Sequence, residues 1–138
     1  MNVKERYNGV QTVFEKAGDY ACLFLSLLSI AEEYTGLPVD FIVAYRKCIE
    51  LGLIDKDFFC SDHEKILYEF TGKKWRKTVV KKLPDPVPDE MFTIEKWYNP
   101  RTDFTHFKRR AFDTLESSVT VREGYIKEYY CYEVEGDE

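Results

Sequence analysis

No apolar run in this 138-residue sequence is longer than the eleven residues of "ACLFLSLLSIA". A helix needs about 20 to cross a bilayer, so no membrane span and no membrane partner are expected. The first residues hold no basic start followed by an apolar stretch and a small-residue cleavage site, so no secretion signal is read and a cytoplasmic location is expected. Cysteine is scarce: Cys22, Cys48, Cys60 and Cys131 stand without paired spacing. Without a secretion signal they read as free thiols rather than a disulfide framework. Cys60 and His63 make only half a zinc motif, with no second pair behind them, so no metal is expected. None of the seven glycines belongs to a Gly-rich run before a helix, which removes the phosphate loop and leaves no cofactor to expect. Internal repeats and low-complexity segments are absent too.

What is present argues for a folded chain. The apolar fraction is 44%, with 10 Tyr, 10 Phe and 2 Trp, which suits one domain over 1–138 and not two. The net charge of −5 argues against nucleic acid as a partner. "KKWRKTVVKK" and "FKRRAF" do interleave basic and aromatic residues, but they read as solvated faces of edge strands, where lysine discourages aggregation. Acidic residues gather in "EVEGDE", a solvated tail.

Helices come first. One is predicted over about 20–35, with Asp19 as N-cap and Gly36 at C′. Its apolar residues cover nearly every side, which makes it a central, buried helix. A second is expected over about 38–51, with Pro38 in its first turn, Gly52 past its end and an apolar face of Val39, Ile42, Val43, Cys48 and Leu51. A third starts in "SDHE", where Ser61 and Glu64 form a capping box. Ile66, Leu67 and Phe70 form its buried stripe and Gly72 closes it. Beyond Gly72 the period changes. "KWRKTVVKKL", "MFTIEKWY", "FTHFKRR", "SSVTV" and "YIKEYYCYEV" read as strands, with "PDPVPDE" as a connection and a tight turn near Glu123-Gly124. The expected class is α+β, with N-terminal helices packed against a C-terminal twisted antiparallel sheet.

Cys22 falls in the first turn of the buried helix. Unpaired N–H groups and the positive end of the helix dipole favour a thiolate there, although Asp19 works against it. The plainer reading is a packed core thiol. A cysteine nucleophile needs a histidine base and a group to orient it. His63 reads as solvent-facing, on the first turn of a capped helix. His106 sits in a strand among aromatics. Asp113 can serve it only if the chain reverses between them, because residues seven apart on one strand lie about 23 Å apart on opposite faces. A hairpin at Arg109-Arg110 would instead set them directly across from each other, with Cβ atoms ~4.5–5.5 Å apart.

"GDYACLFLSL", "THF" and "FDTLESSVTVREGYI" together resemble the papain-like cysteine peptidase superfamily, most closely the compact bacterial and phage members related to bacteriocin-leader-processing peptidases and NlpC-type amidases. "GLIDKDFFCSDHEKILYEFTGKKW" resembles the linking helical segment of such domains. The resemblance implies a papain-like fold, with Cys22 as nucleophile, His106 as general base and acid, and Asp113 as orienter. It also implies that Gln11 helps bind the oxyanion. Thr114 stands where the family's turn has proline, and Gln11 lies eleven residues before Cys22. The reaction implied is attack of Cys22 on an amide or peptide bond followed by hydrolysis. The alternative is a catalytically degenerate papain-like domain that binds a protein partner or inhibits one. The distant Gln11 and the bulky Leu23 and Phe24 after the cysteine favour that alternative.

Overall fold

The computed structural model describes residues 19–88, 92–110 and 122–135. In these the chain forms α1 (Asp19–Thr35), α2 (Phe41–Glu50) and α3 (His63–Thr71), then β1 (Trp75–Val80), β2 (Phe92–Asn99), β3 (Phe104–Arg109) and β4 (Tyr125–Val134). The class is α+β. The four strands make one antiparallel sheet in the order β1-β4-β2-β3, so the last strand in the chain lies in the middle. No helix in the described residues is long and apolar enough to cross a membrane.

Burial explains α1. Leu23, Phe24, Leu27, Leu28, Ile30 and Ala31 are all buried and spread over a wide arc of the helix, while Leu25 is exposed. Such side chains each contribute roughly 1.5–3 kcal/mol on leaving water, so α1 is the element around which the core assembles. It lies on β3 and α3, and α3 lies on β1. Gly36 ends α1 with φ of 72°, in the left-handed region that suits glycine at C′.

The other helices differ from expectation at their starts. Pro38 stands before α2, not in its first turn: Asp40 caps the helix, its Oδ1 accepting the Val43 N–H at 2.9 Å. Asp is the better cap because its carboxylate reaches the free N–H groups that a proline cannot serve. The expected apolar face of α2 is only partly buried. Ala44 and Cys48 face the core, whereas Val43 and Leu51 lie largely in solvent. Asp62, not Ser61, caps α3, accepting the Lys65 N–H at 3.0 Å. The Ser61 hydroxyl turns back instead to the carbonyls of Gly52 and Leu53. Gly72 closes α3 as expected, with φ of 72° and its N–H on the Tyr68 carbonyl.

Strand alternation sets the two faces of the sheet. Trp75, Phe92, Ile94, Phe107, Tyr130, Tyr132 and Val134 all belong to the apolar core or pack against it, on the face under the helices. The opposite face carries Glu95, Trp97 and Lys108, with the Lys108 ammonium 3.7 Å from the Glu95 carboxylate and the Trp97 indole N–H donating to it at 3.0 Å. The β2–β3 turn is held by Asn99 and Asp103. The Asn99 side chain accepts the Arg101 N–H at 2.9 Å, and Asp103 accepts the Tyr98 hydroxyl at 2.6 Å. Arg122 and Glu123 are helical, so β4 is entered from a helical turn and not from a tight strand-to-strand turn at Glu123-Gly124. The strand expected in "SSVTV" lies outside the described residues.

Candidate functional site

Among the described strands β3 lies at the edge of the sheet, and its register decides what Cys22 meets. The Arg110 N–H bonds to the Thr93 carbonyl, so Glu95–Lys108 and Trp97–His106 are the hydrogen-bonded pairs of the β2–β3 ladder. The alternate residues, Thr105, Phe107 and Arg109, therefore aim their N–H and C=O groups out of the sheet. Cys22, half-buried in the first turn of α1, accepts the Phe107 N–H on its Sγ at 3.4 Å. The thiol thus sits against the side of β3 that no described strand pairs.

His106 is buried, but on the other side. The Arg109 guanidinium reaches Ser29 at 3.1 Å and Glu33 at 2.5 Å, both on α1, and Phe107 is part of the core beneath it. His106 alternates with these residues and shares its face with Lys108, Glu95 and Trp97. The structure therefore carries His106 on the face away from the helix that holds Cys22. Its partner directly across the ladder is Trp97. Asp113 and Gln11 lie outside the described residues, as does the reversal that would bring Asp113 opposite His106.

His63 is the functional side chain that the sequence reading misplaced. It is buried, not solvent-facing, and its Nδ1 lies 2.7 Å from the Tyr132 hydroxyl. Burial pushes its pKa down to about 4; nearby Lys77 adds to this and Asp62 opposes it. The ring is therefore neutral near pH 7. Tyr132 is fully buried and its pKa is raised well above the ordinary value, so it keeps its proton. His63 is its one hydrogen-bond partner among the described residues, so the hydroxyl donates to Nδ1 and leaves the ring proton on Nε2. A signal for this was present in the sequence. His63 stands three and four residues before Ile66 and Leu67, so the buried stripe of α3 continues backwards onto it.

Beside His63 opens a cleft of about 580 Å³. All four strands contribute to it from the helix face: Lys77 from β1, Lys96 from β2, Thr105 and Phe107 from β3, and Tyr130 from β4. Residues 59–64 form the wall facing the sheet, and Leu23 of α1 adds to the lining. Cys22 and His106 are not among the lining residues, whereas their chain neighbours Leu23, Thr105 and Phe107 are.

The floor of the cleft is cationic and aromatic. The Lys77 ammonium stands 4.8 Å from the Tyr130 ring centroid and the Lys96 ammonium 6.0 Å from it. Lys96 pairs with Glu128 at 3.3 Å, and the Tyr130 hydroxyl donates to the same carboxylate at 3.4 Å. Burial works against the Lys96 charge, but Tyr130 and Glu128 outweigh it and hold the ammonium protonated. The neighbouring thiol of Cys60 is pushed up to about 12 by burial, which keeps it inert. Among the described residues no three His, Cys, Asp or Glu side chains are grouped as a metal site requires.

No protein family, curated protein or solved structure matches this chain.

Proposed function

We propose that this chain is a binding module on a papain-like α+β frame, in which Cys22 is a structural thiol and the cleft beside it takes part of a protein partner. One observation supports this reading above the rest. Neither Cys22 nor His106 lines the cleft that their chain neighbours Leu23, Thr105 and Phe107 line, and His106 belongs to the opposite face of β3. Acyl transfer needs the nucleophile, its base and the substrate within hydrogen-bond reach of one another. A base on the far face of β3 serves no substrate bound on the helix face.

A hydrolase using Cys22, His106 and Asp113, with Gln11 at the oxyanion and a peptide or amide substrate, is the second reading. It draws on the Phe107 N–H, which donates to Cys22 Sγ and so favours a thiolate. The rate of Cys22 alkylation against pH, in wild type and in His106→Ala, separates the two. Slow alkylation that follows an ordinary thiol titration and ignores the His106 substitution is the expected result. Rapid alkylation at pH 6 that disappears in His106→Ala would overturn the binding reading in favour of the hydrolase.

A further inference from the structure

We propose that the cleft binds an extended peptide bearing a carboxylate, with that carboxylate held by Lys77 and Lys96 above the Tyr130 ring and the peptide backbone paired at Thr105 on the edge of β3 that no described strand covers. The inference rests on the binding reading and gives it a ligand.

Charge complementarity on the cleft floor indicates a carboxylate. Two ammonium groups stand over one aromatic ring, and Glu128 offsets only one of them. Lys77 has no carboxylate within ion-pair distance among the described residues, so its charge is turned to the cleft. A singly charged carboxylate between the two lysines restores balance through charge-assisted hydrogen bonds.

Two features favour a peptide over a compact polyanion. Asp62 and Glu64 line the opposite wall, where they repel a densely charged phosphate but tolerate neutral amides. Thr105 contributes to the cleft and, by the register of β3, directs its N–H and C=O out of the sheet. An extended backbone can pair there as an added strand, as in other edge-strand recognition. The neighbouring outward amide, that of Phe107, is already taken by Cys22, which confines the open pairing site to the cleft end of the strand. The cleft volume also lies within the range of about 300–1,000 Å³ usual for ligand pockets.

The carboxylate has two sources in a peptide, a side chain or the C-terminus, and the probes separate them. The full chain is titrated by NMR or fluorescence with Ac-Ala-Ala-Glu-Ala-Ala-amide, with Ac-Ala-Ala-Ala-Ala-Ala bearing a free C-terminal carboxylate, with the neutral Ac-Ala-Ala-Gln-Ala-Ala-amide and with inorganic phosphate. Binding of one or both carboxylate peptides, and not of the neutral peptide, is expected. Lys77→Gln is expected to weaken it by about tenfold or more, and Lys77→Arg to restore it. Equal binding of the neutral peptide, phosphate binding as tight as the acidic peptide, no binding by either carboxylate peptide, or indifference to Lys77→Gln in a variant with wild-type circular dichroism each overturns the proposal. None of these outcomes bears on the reactivity of Cys22, which judges the binding reading separately.

Discussion

The Cys22 sulfur accepts the Phe107 amide across the edge of β3 at 3.4 Å, joining the first described turn of α1 to a residue eighty-five positions later. The contact gives the cysteine a structural task independent of nucleophilic chemistry. Edge strands expose a row of unpaired backbone groups that invite pairing with another chain. Here the start of α1 covers one of them.

Removing the acceptor should therefore be felt in stability. Cys22→Ala is expected to lower the unfolding free energy by about 1 kcal/mol. Cys22→Ser keeps an acceptor and should lose less. Urea denaturation of the two variants checks this, and an alanine variant as stable as wild type would remove the structural role.

His63 makes stability depend on acid. Its pKa is about 4 in the folded chain and about 6.5 when unfolded, so between those values the unfolded state binds the extra proton. The stabilisation is complete above pH 6.5 and is lost as pH falls towards 4, by about 3 kcal/mol in all. His63→Gln should flatten this part of the profile. Denaturation midpoints measured from pH 7 to pH 4.5 in both proteins would show it; parallel profiles would contradict the buried neutral imidazole.

The cap of α3 is open to a direct comparison. Asp62→Ala should cost about 1 kcal/mol by removing the acceptor for the Lys65 N–H. Ser61→Ala should be milder, since its hydroxyl serves loop carbonyls and not the helix N-terminus. Thermal melting of the pair decides it, and the reverse order would restore Ser61 as the cap.

Thiol chemistry offers a further check on the core. Burial raises Cys48 to about 11 and Cys60 to about 12. At pH 8 their thiolate fractions are then on the order of one part in a thousand or less. Neither should react with a disulfide reagent in the native protein, and both should react at once in denaturant. Mass mapping of the labelled cysteines tests this; native-state labelling of Cys60 would show that the cleft wall opens.

The periodicities made the strands legible. "YIKEYYCYEV", rich in Tyr, Ile and Val, is β4 from end to end, and Gly72 marks the end of α3 because only a left-handed residue closes that helix. Where the sequence misled, the missing quantity was usually a partner. In "FTHFKR" the alternation separates His106 and Lys108 from Phe107 and Arg109, but both sets are largely buried, so polarity does not say which lies under the helix. A buried arginine paired with Glu33 on α1 inverts the usual assignment. The apolar surface of α2 misled for the opposite reason, because Val43 and Leu51 stay in solvent. The contact between Cys22 and Phe107 depends on strand order, and no local pattern encodes the order β1-β4-β2-β3.

That order also governs how the chain matures during synthesis. β4 is made after the other three described strands, yet it supplies the partner for both β1 and β2. Until Tyr125–Val134 emerges, β1 lacks its partner among the described strands and β2 pairs only with β3, so the helices must wait beside an unfinished sheet. A nascent chain halted before residue 125 displays bare strand edges to whatever is nearby.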